Sequence, residues 1–204
     1  MFSSSPAVHR SVLSSIGIVA MLGAAACGGG SDATADSAAA DSLAMGAAAA
    51  PAPAAINDAQ IAHIVVTANS IDSAAGVAAL DKAQNKDVKD FAQMMITDHG
   101  AVNAQAVALA TRLGVTPEDN DTSRQLKAGA EESATKLQGL TGAAFDRAYM
   151  EREVAFHEAV IGALDDTLLP NTQNAELKDL LEKSRPAFVA HLDRARTILA
   201  SLPS

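Results

Sequence analysis

The chain has 204 residues, of which 49% are hydrophobic, 19% charged and only 3% aromatic, and it carries a net charge of −9. The scarcity of aromatic residues argues against a β-sandwich or barrel and against a stacking surface for single-stranded nucleic acid. The negative charge argues against a phosphate-binding face, and the single Cys leaves no internal disulfide and no Cys-based zinc site. Much of the hydrophobic fraction is Ala, which suits closely approaching helices.

Residues 1–26 hold one strong base, Arg10, and no acid, and continue into an apolar run from Val12 to Ala26. A basic start followed by a short apolar run reads as a secretory signal rather than a mature membrane span. The run ends Leu22-Gly23-Ala24-Ala25-Ala26-Cys27-Gly28. Small residues directly before a lone Cys resemble the lipobox of bacterial lipoproteins, although Ala24 stands where that motif usually carries Leu. In such proteins the Cys is acylated and becomes the mature N-terminus, so Cys27 is the expected lipidation site and the membrane the expected partner. The alternative is an ordinary signal cut near Ala26, with Cys27 an incidental thiol. Both readings take the chain out of the cytoplasm.

Residues 27–56 read as a tether. Between residues 28 and 55, 13 positions are Ala and most others are Gly, Ser, Asp or Pro, too little apolar bulk to offset the entropy of ordering. A flexible coil of this length reaches on the order of 30 Å. Losing the signal removes Arg10 and no acid, so the mature chain is more acidic still. It is therefore expected to attach to membranes through acyl chains rather than through charge.

From Asn57 to Leu202 the apolar pattern is helical. Asn57 or Asp58 caps a first helix reaching about Gln84, and a second runs from about Asp87 to Leu113, with Gly114 and Pro117 as stop signals. A shorter helix, about Thr122 to Gly139, follows a polar stretch. Thr141-Gly142 begins a third long helix reaching about Leu169, Pro170 to Asn174 form a turn, and a last helix runs from about Ala175 to Leu202. Two helical hairpins joined by a long connection give an all-α, ferritin-like four-helix bundle with a short helix in the crossover.

Each long helix has a bundle seam with alternating steps of four and three, and each seam carries one ionisable residue near its middle: Asp72, His99, His157 and His191. Buried groups of this kind are costly unless hydrogen-bonded, paired or bound to metal. His63 falls off its seam and is expected in solvent. Counting from the turn at Asn85-Lys86 sets Asp72 and His99 at one level. Counting from Leu169 and Asn174 leaves His157 and His191 offset by roughly 7 Å at 1.5 Å per residue, and Glu153 matches the level of His191 better. Pro186 is expected to kink the last helix just before His191. Three or four groups therefore converge.

Three imidazoles and a carboxylate form an ordinary ligand set for a transition metal such as zinc, copper or iron. Asp72, His99, His157 and His191 are the candidate ligands, with Glu153 as an additional one. Asp98 is a candidate for fixing the tautomer of His99. Met95 and Met150 would suit Cu(I), although Met on a seam is more often core filler. The competing reading is a buried polar cluster that fixes helix register. A di-iron ferroxidase site wants Glu-x-x-His on two helices, whereas Ile96, Val154 and Phe188 stand three residues before the histidines. No phosphate loop, nucleophile elbow or catalytic acid pair is present in the sequence.

The runs Asp81–Asn85, Val88–Ala92 and Met95-Ile96-Thr97-Asp98-His99 resemble a bacterial exported family, the domain of unknown function numbered forty-one forty-two, often labelled outer-membrane protein. Phe145–Tyr149 followed by His157, and Pro186 followed by His191-Leu192, extend the likeness over about Asp58 to Leu202. The resemblance implies a ferritin-like bundle, exported and often lipid-anchored, with no settled activity. Its histidines match His99, His157 and His191, and Asp72 stands where the family usually has Glu. Three functions follow as expectations. The first is an envelope lipoprotein, periplasm-facing and anchored in the outer membrane rather than the inner, that binds a transition metal for storage, buffering or sensing. The second is a structural or stress-related envelope protein, and the third a redox enzyme on the same residues. Self-association into a homo-oligomer stays open, and nucleic acid is not an expected partner.

Overall fold

The computed structural model describes residues 56–203; the expected signal, Cys27 and the tether up to residue 55 lie outside the described residues. The elements are α1 (Asp58–Lys82), α2 (Lys86–Leu113), α3 (Asp121–Gln138), α4 (Gly142–Ala163), a π-helical turn (Leu164–Leu168), α5 (Leu169–Asn171) and α6 (Ala175–Ser201). Four of the starts share one device. Asn57, Asn85, Asn120 and Asn174 each accept backbone N–H groups of the helix they precede, which satisfies donors that have no partner inside a helix. Gly114 ends α2 in the left-handed region at φ 65°, a conformation that costs glycine little.

The ends of the helices fix their directions. Both oxygens of Asp146, at the start of α4, accept the backbone N–H groups of Gln84 and Asn85 in the α1–α2 turn, at 3.0 and 2.9 Å. At the opposite end, Asp58 accepts from Gln173 and Asn174 in the turn before α6, at 2.9 and 2.8 Å. The start of α4 thus lies beside the start of α2, and the connection carrying α3 climbs back along the bundle. Helix α1 packs along α2 and α4 along α6, with α2 against α6 and α1 against α3 and α4. This is the expected all-α bundle with a helix in the long crossover.

Helices α1 and α2 pack closely at Gly76. A Cβ there would lie 2.7 Å from the Ala92 carbonyl oxygen and 3.0 Å from Ile96 Cγ1, so glycine permits the contact one turn from Asp72. By length and composition α1 is apolar enough to cross a membrane, but half of its apolar window is buried inside this bundle.

The seams divide the core into two clusters. One holds Phe91, Met95, Phe145, Tyr149, Met150, Ala195 and Ile198. The other is mostly aliphatic, with Ile61, Ile64, Val65, Leu109, Leu164, Leu181 and Phe188. Both methionines singled out in the sequence, Met95 and Met150, belong to the first cluster and pack as core.

Two local expectations are corrected. The third long helix does not end at Leu169. A π turn, in which Leu169 N–H reaches Leu164 O, leads into Leu169–Asn171 and keeps the chain helical through Pro170; a wide turn suits a residue whose nitrogen has no hydrogen to donate. His63 is half-buried, with Nδ1 3.8 Å from Asp119 Oδ1, because the α2–α3 connection folds back over α1.

Candidate metal centre

Asp72, His99, His157 and His191, drawn from four different helices, are all buried between the two core clusters. His99 Nε2 lies 3.0 Å from Asp72 Oδ2, as the count from the Asn85 turn requires. The three imidazole centroids are 5.3–5.5 Å apart. The expected offset between His157 and His191 is therefore too large. With helix continuing to Asn171, the two levels differ by only about three residues, roughly 4.5 Å, which side chains bridge.

Each imidazole donates outward. His99 Nδ1–H donates to Asn69 Oδ1 at 2.8 Å, and Asn69 is oriented by its own Nδ2–H bond to Val65 O at 2.8 Å. His157 Nδ1–H donates to the Glu153 carbonyl at 2.9 Å. His191 Nε2–H donates to Asp98 Oδ2 at 2.9 Å. These acceptors fix the tautomers, so in the neutral rings the lone pairs sit on His99 Nε2, His157 Nε2 and His191 Nδ1. All three nitrogens are buried without a hydrogen-bond partner, as is Asp72 Oδ2. One ligand nitrogen from each histidine lies within 4.8 Å of the other two.

Asp98 therefore serves His191 across the α2–α6 contact, not its neighbour His99. Successive helical residues point about 100° apart, and Asn69 takes the place expected for Asp98. Glu153, on α4 one turn before His157, is fully buried, while Val154, assigned to the seam by spacing, is only half-buried. Arg152 was missed in the sequence, where it stands between two acids like a solvated surface charge. Its Nη1 donates to Asp72 Oδ1 and, at 2.5 Å, to Glu153 Oε1.

Burial and charge set the protonation states. Burial opposes ionisation of Asp72, but nearby His99 and the Arg152 guanidinium outweigh it and hold this carboxyl well below the usual carboxylate range. Glu153 moves the other way, raised well above its ordinary value by burial and by the Asp72 charge. Burial lowers His157 to about 4, and it lowers His191 as well. Burial, with the Glu153 and Asp72 charges, raises the phenol of Tyr149. The cluster therefore favours one carboxylate and neutral rings at His157 and His191, the forms that bind metals.

On the other side of the layer, an almost wholly apolar cavity of about 90 Å³ borders His99 and Asn69, lined also by Val65, Ala68, Leu164 and Phe188. Phe188 stacks on His99 with centroids 5.2 Å apart and planes 2° from parallel, which holds the ring in place.

Residues 43–198 match the profile of the domain of unknown function DUF4142. The chain belongs to the DUF4142 family. The match covers α1 to α4 and nearly all of α6, and so every member of the His/carboxylate cluster. Comparisons with curated proteins and with solved structures give no significant match. Membership in DUF4142 thus supplies no chemistry, and what can be said of the centre comes from its geometry.

Proposed function

We propose that the bundle binds one divalent transition-metal ion of the zinc, copper or iron group through His99, His157, His191 and Asp72. A single observation carries this reading: outward hydrogen bonds fix the three rings so that Nε2 of His99 and of His157 lie 3.0 and 3.6 Å from one oxygen of Asp72, while one ligand nitrogen from each histidine lies within 4.8 Å of the other two. Lone pairs 3.0 Å from a carboxylate oxygen repel unless a cation or proton lies between them. Asn69, Asp98 and the Glu153 carbonyl are the outer partners that typically orient metal-bound histidines. Three nitrogens and one oxygen suit zinc, copper or iron better than calcium or magnesium. With one site per chain the role is buffering or sensing rather than bulk storage. With the signal and Cys27 read as above, the protein works in the cell envelope on a lipid anchor.

Elemental analysis of the purified protein after loading tests the reading. About one equivalent of metal per chain is expected in the wild type and under a tenth of that in the His99→Ala/His157→Ala/His191→Ala variant. The competing reading, a hydrogen-bonded packing cluster, is favoured if the wild type takes up no stoichiometric metal under any loading condition.

A further inference from the structure

Part of the cluster is left unused by the histidines. Asp72 turns Oδ2 toward them, while its Oδ1 accepts from Arg152 Nη1. The same Nη1 donates to Glu153 Oε1. Glu153 is fully buried and its Oε2 has no hydrogen-bond partner. One ligand atom each from Asp72, Glu153 and His157 lies within 4.8 Å of the others. A guanidinium atom thus stands between two buried carboxyl groups, one of which already faces the histidine site.

We propose that the Asp72–Glu153 pair is a second cation position and that Arg152 fills it, keeping the centre mononuclear, a proposal that rests on the metal reading above. With Arg152 removed, Asp72 would bridge, giving Oδ2 to the transition metal and Oδ1 to a second ion held also by Glu153. A position made of carboxylate oxygens suits an oxygen-preferring divalent cation such as Mn(II).

Two features adapt Arg152 to this role. Its planar head, which presents several donors at once, lies over the Phe156 ring at 4.3 Å, and its side chain is only 11% exposed. It also borders a surface groove of about 600 Å³ that runs past Ala75, Ala78 and Lys82 of α1 and Ala134 of α3. Arg152 therefore reaches from this groove to the two buried acids, neither of which lines it.

The test is metal stoichiometry in full-length protein loaded with Zn(II) and then exposed to Mn(II), read by elemental analysis and by the Mn(II) paramagnetic resonance signal. Wild type and Arg152→Lys, which both keep a cation at the position, are expected to hold one zinc and no Mn(II). Arg152→Met is expected to hold one zinc and one Mn(II), and its melting temperature is expected to rise on Mn(II) addition while that of the wild type stays constant. If Arg152→Met folds only when Mn(II) is supplied, that rescue supports the proposal as well. Three results overturn it: an Arg152→Met protein that stays at one ion, a wild type that takes up a second, or a variant that fails to fold in Mn(II) and in chelator alike. A wild type without any zinc overturns the metal reading itself, so the two failures are distinct.

Discussion

The two halves of the core differ in what they place against the polar layer. The half toward the α1–α2 turn is aromatic, with Phe91, Phe145 and Tyr149 all essentially inaccessible, and it meets the layer at Glu153 and Arg152. The opposite half is built mainly from Ile, Leu and Val and meets the layer at His99, where about 90 Å³ stays open. The difference shows how a ligand set can be held from one side and left room on the other. Tight packing fixes the carboxylates, whereas outward hydrogen bonds and the Phe188 stack fix the histidines.

The largest test of this contrast is truncation. Phe91→Ala is expected to cost about 3–5 kcal/mol, measured by urea denaturation of metal-free protein, because nothing in the aromatic half can move into the space. A loss below about 1 kcal/mol would show that this half is not the rigid one.

A second test acts on the layer between the halves. Burial holds the folded His157 at about 4, against about 6.5 in the unfolded chain. A lowered histidine pKa contributes stability that is complete above the unfolded value and is lost as pH falls from about 6.5 to 4. Glu153 has the opposite sign: its raised pKa contributes stability at low pH that fades as pH rises. Metal-free Glu153→Gln is therefore expected to lose on the order of 3 kcal/mol between pH 7 and pH 4, and the wild type less. Equal losses in the two proteins would count against the assigned role of Glu153.

The smallest effects come from filling space. Ala92, fully buried in the aromatic half, should reject Leu at a cost of about 1–3 kcal/mol. Ala68 borders the cavity, so Ala68→Leu is expected to change stability by less than about 1 kcal/mol. Thermal denaturation of the pair measures the asymmetry directly, and equal costs would remove it.

Much of this arrangement is legible in the sequence because it depends on period and distance along helices. The seams place Asp72, His99, His157 and His191 inside, and counting from Asn85 puts Asp72 opposite His99. What escapes the sequence depends on the reach of long side chains and on where helices stop. Arg152 looks like a surface charge between Glu151 and Glu153, yet its length carries the guanidinium back to Asp72. Asn69 lies three residues before Asp72, and only the crossing of α1 with α2 shows that it serves His99. Counting along the chain misplaces the level of His191 because Pro170 looks like a stop, whereas the π turn carries the helix past it.

The carboxylates of Asp58 and Asp146 also limit how the two hairpins can find each other. Each receives two backbone N–H groups from a turn in the opposite hairpin, at opposite ends of the molecule. A bundle with the second hairpin docked upside down would bury much of the same apolar surface, since hydrophobic burial has no direction. In that arrangement both turns would lose their acceptors at once, leaving four donors to be satisfied elsewhere. The pair of acids thus works as a polarity check during assembly, selecting the one orientation in which four helices deliver their central residues to a common point.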